Sequence, residues 1–130
     1  MKKLKLIHTF LLSLIGVVSV FMTLSVIFDL FGIRAREGNY VLFIVYANLV
    51  CGIIYLYAAI SNWKNLTNSF YSLVLASLIL IVAFIAFGVY ISNGGIHEVK
   101  TIKAMTFRTV FTLIMAALSY MMLRKEKQRR

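Results

Sequence analysis

The chain has 130 residues, 62% of them hydrophobic, well above the roughly 45–50% of soluble domains, so it reads as a single membrane domain with little left over for a soluble one. Leu, Ile, Val, Phe and Ala fill the apolar runs without strand-like alternation, which argues against a β-barrel. The net charge of +10 lacks the aromatic–basic interleaving of a nucleic-acid surface, so no nucleic-acid partner is expected.

A transmembrane helix needs ~20 predominantly apolar residues, and four such spans fit, at about 6–28, 40–60, 70–91 and 97–123, with a basic tail at 124–130. Lys2-Lys3-Leu4-Lys5 leads into the uncharged run 6–28. That run is too long for an ordinary signal-peptide core and its small residues are poorly placed for cleavage, so an uncleaved helix is expected. At ~100° per residue, Thr9, Ser13, Gly16, Val20 and Thr23 share a stripe of small and hydroxylated side chains suited to close helix contact. Asp29 ends the run and faces away from that stripe. Residues 32–39, with Arg34, Arg36 and Glu37, read as a short polar loop bracketed by glycines.

In the second span Asn48, Gly52, Tyr55 and Ala59 fall on one face. An amide at the depth of Asn48 costs several kcal/mol unless it is hydrogen-bonded, so it is expected to point into the bundle, as an interhelical contact or as a solute-binding group. Residues 61–69 read as a second loop, with Trp63 and Lys64 as interface anchors. The Asn65-Leu66-Thr67 sequon falls on the cytoplasmic side of the topology derived below and reads as a chance match. The third span packs through a narrow face of Ser72, Ala76, Ile79, Ala83, Ala86 and Tyr90, and Ser92-Asn93-Gly94-Gly95 breaks the chain.

The uncharged run 109–123 is short for a full span, so the fourth helix is expected to begin near His97. Its polar wedge then carries His97, Glu98, Thr101, Met105, Arg108, Thr109, Thr112, Ala116 and Ser119. Lys100 and Lys103 lie on the other side, placed to contact lipid headgroups. Arg108 sits well inside the helix, in an otherwise apolar environment, where an ionisable group is expected to pair or to serve function. Asp29, Glu37 and an anionic headgroup are its candidate partners.

With both termini inside, Lys2, Lys3, Lys5, Lys64 and the five basic residues of the tail make nine on the cytoplasmic side. Arg34, Arg36, Lys100, Lys103 and Arg108 make five outside, a positive-inside bias. The expectation is an all-α integral membrane protein, an antiparallel four-transmembrane-helix bundle with both termini cytoplasmic, in a bacterial inner membrane.

Cys51 stands alone, which excludes an intramolecular disulfide and a CxxC redox pair. His8 and His97 lie near opposite surfaces and cannot ligate one haem, and no cofactor is expected. His97 and Glu98 could supply two metal ligands, with Asp29 or Glu37 as a third; the plainer reading is an interfacial histidine and a carboxylate at a helix start. The chain has no GxSxG, HExxH or phosphate-binding glycine loop, and no carboxylate near the membrane midplane to couple transport to protons. The leading expectation is therefore a non-enzymatic accessory or assembly subunit that binds another membrane protein, a second copy of itself or a lipid. Its candidate contacts are Asp29, Asn48, His97, Glu98, Thr101, Arg108 and Thr112. The alternatives are a homo-oligomeric transporter of a small solute or ion, working along the Asn48, Tyr55 and Thr112 faces, and a metal- or lipid-dependent membrane enzyme centred on His97 and Glu98.

Overall fold

The computed structural model describes residues 2–29, 32 and 41–129, the last by its backbone alone. Among them there are no strands. Four helices follow one another, α1 (Lys2–Ile27), α2 (Leu42–Lys64), α3 (Leu66–Ser92) and α4 (Val99–Arg129). All four are long and apolar enough to cross a membrane: at about 1.5 Å per residue, even the shortest exceeds a ~30 Å hydrocarbon core. The expected loop carrying Arg34, Arg36 and Glu37 lies outside the described residues, as does Tyr40.

The helix boundaries correct the expected spans at the second connection. The loop expected over 61–69 shrinks to Asn65, with α2 running on to Lys64 and α3 starting at Leu66. Asn65 is extended (φ −160°, ψ 103°), and it closes one helix and opens the next. Its N–H donates to the Ser61 carbonyl at 2.7 Å, and its side-chain oxygen accepts from the Thr67 N–H at 3.0 Å. An asparagine capping side chain satisfies one of the orphan N–H groups of a helix start. Composition places the polar Ser61 and Asn62 in a loop, but packing holds them in the helix, 4% and 1% exposed.

The expected break after the third span is present. Gly94 takes a left-handed conformation (φ +80°), its N–H donates to the Ile91 carbonyl at 3.0 Å and that of Gly95 to the Tyr90 carbonyl at 2.9 Å. These two bonds make a Schellman closure. A Cβ on Gly95 would meet the Tyr90 ring at 2.4 Å, so the second glycine is needed for that ring to fold under the turn and donate its hydroxyl to the Ile96 carbonyl.

Each helix runs antiparallel to the next. Thr9 meets Asn62 and Trp63 near one end of the α1–α2 pair, and Val26 packs on Val45 near the other. Between them the backbones come close: a Cβ on Gly52 would lie 3.1 Å from the Ser19 Cβ and 3.3 Å from the Gly16 carbonyl. The expected small-residue stripe of α1 is thus the α2 contact, with Gly16 and Val20 in it as expected and Ser19 joining them against Gly52. The main core runs through the bundle, with Leu12, Tyr55, Leu73, Leu80, Phe87 and Met105 fully enclosed, and Val26 and Val45 form a smaller cluster apart from it. α4 packs mainly on α3 and touches α1 at few points.

Candidate functional site

The sparse α1–α4 contact leaves a cleft. A cavity of about 280 Å³ opens between α1, α2 and α4 at the end remote from the chain termini. Its walls are aliphatic, with Met22 and Val26 on α1 and Ile44 and Val45 on α2. Against them stand Asn48 on α2 and Lys100, Thr101 and Arg108 on α4. Four of the nine residues singled out from the sequence therefore converge on one space.

Lys100 changes its expected place. The helical wheel set it with Lys103, across the helix from the polar wedge, yet Lys100, Ala104 and Arg108 recur every fourth residue and form one stripe, which drifts only ~40° per step. Thr101 lies beside that stripe, and all four line the cavity. Lys103 is exposed and is not part of the wall.

Arg108 marks the floor. Its guanidinium donates to the Ser19 hydroxyl, next to the point where α1 and α2 come closest. Asp29 was among the partners expected for Arg108; it sits beyond the end of α1 in a left-handed conformation (φ 54°) and does not line the cavity. Glu37, the other expected side-chain partner, lies outside the described residues. Asn48 points inward as expected. Its Oδ1 is enclosed and makes no hydrogen bond among the described residues, although Arg108 and Thr101 share the same wall.

Below the cavity the polar groups answer one another. Thr112 donates to the Arg108 carbonyl at 2.6 Å, and the Tyr55 and Thr112 hydroxyls are hydrogen-bonded. Since the Thr112 proton is committed to the carbonyl, Tyr55 is the donor of that pair. Both residues are completely buried. The faces expected to form a transport path close on each other at this level within one chain.

His97 and Glu98 sit in the α3–α4 turn, outside the cavity wall. His97 Nδ1 donates to the Gly95 carbonyl at 3.1 Å and its ring meets Phe87 edge-on at 5.7 Å. The Glu98 carbonyl accepts from the Thr101 N–H, opening α4. Among the described residues, no three of His, Cys, Asp and Glu come together in a way that could hold a metal ion.

One constellation escaped the sequence reading. At the opposite end His8, fully buried, donates from Nε2 to the Met115 carbonyl at 2.9 Å, and its Nδ1 accepts from the Asn62 amide at 2.8 Å. Asn62 also donates to Thr9, at 3.1 Å, and accepts from Ser69 at 2.6 Å. Every donor here meets an acceptor with His8 neutral and protonated on Nε2. All four helices join through this one amide and one ring. The available signal was Asn62 lying seven residues after Tyr55, on the same helical face, once α2 is allowed to extend.

No family model matches the chain. Comparisons with curated proteins and with solved structures likewise find no match, so the functional reading rests on the cleft itself.

Proposed function

We propose that this chain is a non-enzymatic accessory or assembly protein of the bacterial cell membrane that works by holding an anionic lipid in the α1–α2–α4 cleft. One observation carries the reading: an aliphatic cavity open between helices, with the cations Lys100 and Arg108 on a single wall. Aliphatic walls with a few placed polar groups are the usual make-up of a small-molecule site. A guanidinium in low dielectric favours an anion far more strongly than one in water does. The basic-residue count supports a topology with both termini cytoplasmic, which turns the cleft toward the outer leaflet, where a lipid could enter from the side.

A transporter would need a route past Tyr55 and Thr112, which are fully buried and bonded to each other. A metal-dependent enzyme centred on His97 and Glu98 would need ligands gathered at a turn that lies apart from the cavity. Neither alternative gains a specific observation.

Native mass spectrometry of the protein, gently extracted from its own membrane, tests the reading. The expected result is a co-released anionic lipid. Arg108→Gln weakens its retention roughly tenfold or more, as loss of a charged hydrogen bond of about 1.5–3 kcal/mol requires. A chain released without lipid, or lipid retention indifferent to Arg108→Gln, overturns it.

A further inference from the structure

We infer that Asn48 makes the cleft selective for anionic lipids whose headgroup carries a free hydroxyl. This rests on the lipid-binding reading above and deepens it. The starting point is the enclosed Asn48 Oδ1, which has no hydrogen-bond partner among the described residues, in the wall of a cavity it shares with Arg108. A buried amide left unsatisfied carries a desolvation cost that a ligand removes by supplying the missing bond.

The surroundings narrow what that ligand can be. Val45, one turn before Asn48 on α2, and the α1 residues Met22 and Val26 are aliphatic and cannot pair with the amide. Thr23 also lines the cavity, but its hydroxyl is committed to the Ser19 carbonyl of its own helix at 2.7 Å. No described residue bonds to that oxygen, so a ligand held by Arg108 in the same cavity is placed to supply the partner. A hydroxyl both donates and accepts, so it meets either orientation of the carboxamide, whereas an alkyl group meets neither. A phosphodiester lipid with a glycerol headgroup offers the two features together: one negative charge for Arg108 and Lys100, and a hydroxyl a few bonds away for Asn48. Sites built to hydrogen-bond a hydroxyl reject analogues that lack it, because the site's own polar group is left unpaired.

The test compares phosphatidylglycerol with phosphatidylethanol, which has the same phosphodiester charge and no headgroup hydroxyl. Each is titrated into the delipidated full-length protein in detergent, with bound lipid read by native mass spectrometry. The wild type is expected to hold phosphatidylglycerol about tenfold more tightly, the worth of one net hydrogen bond at its upper range. Asn48→Leu brings the two lipids to within about twofold while still binding both, since the charged contacts remain. Arg108→Gln weakens both together. Equal binding of the two lipids by the wild type overturns this inference and leaves the lipid-binding reading intact. A preference that survives in Asn48→Leu overturns it too, and failure to bind either lipid overturns both. Retained binding of both lipids by Asn48→Leu is itself the sign that the variant is folded. Asn48→Asp keeps the shape and, when ionised, sets a carboxylate beside the phosphodiester, so it is expected to weaken both lipids; binding left as in the wild type would overturn the placement of Asn48 at the headgroup.

Discussion

At the scale of single residues, side chains are distinguished by whether the chain itself supplies their partners. Ser119 is fully buried, and its hydroxyl has no hydrogen-bond partner among the described residues. A helical serine usually returns its hydroxyl to the carbonyl four residues back, here that of Met115, but His8 already donates to that oxygen. Ser119→Ala should therefore stabilise the protein, by about 1 kcal/mol, by removing an unsatisfied buried group. Cys51 gives the readout: it is the only cysteine and is fully enclosed, so its labelling by a thiol-reactive dye reports unfolding, and the variant should label at a higher temperature. Tyr55→Phe should act the other way and mildly, costing about 0.6–1.5 kcal/mol, because Thr112 keeps its bond to the Arg108 carbonyl. Residues such as Asn48 and Arg108 were legible in the sequence because an amide or a cation inside an apolar run is conspicuous. Ser19, which accepts a hydrogen bond from Arg108, was not, since a serine in a helix can satisfy itself and leaves no mark on the pattern.

Among the helices, close approach and capping decide the arrangement. Gly52 brings α2 against Ser19 and Gly16 of α1, and a larger side chain has to push the helices apart. Gly52→Val should cost about 1–3 kcal/mol by overpacking. The same change at Gly88, where an added Cβ meets nothing within 4 Å, should shift the Cys51 labelling midpoint far less. Equal shifts at the two sites would mean that helix propensity, and not contact, sets the cost. The four helices were legible from hydrophobic runs, and so was the Gly94-Gly95 break, which has a backbone requirement that only glycine meets readily. The second connection is not legible in the same way, because polar composition marks a loop and a buried polar contact alike. Asn62 and Ser69 are polar for a different reason: they meet across α2 and α3 in a hydrogen bond, which removes the penalty that would otherwise exclude them from a core.

For the whole molecule, the bundle is a sequential stack in which the first and last helices barely meet. Two long-range polar bonds between described residues join α1 to α4, His8 to the Met115 carbonyl and Arg108 to Ser19, one toward each end. Because there is little hydrophobic driving force between helices in lipid, such contacts and close packing hold a seam together. The cleft exists where the seam is open, so its width depends on the pins that close the remainder. Ser19→Ala removes one pin without altering a charge, and His8→Leu removes the other and strands the Asn62 amide. Together they should cost about 1–3 kcal/mol. Their structural signature should be a longer and broader α1–α4 distance, measured by pulsed electron spin resonance between labels at the exposed positions Val17 and Val110 in a Cys51→Ser background. A distance distribution unchanged in the double variant would show that side-chain packing alone sets the seam. The cleft would then be a fixed feature of the bundle, indifferent to its two polar pins.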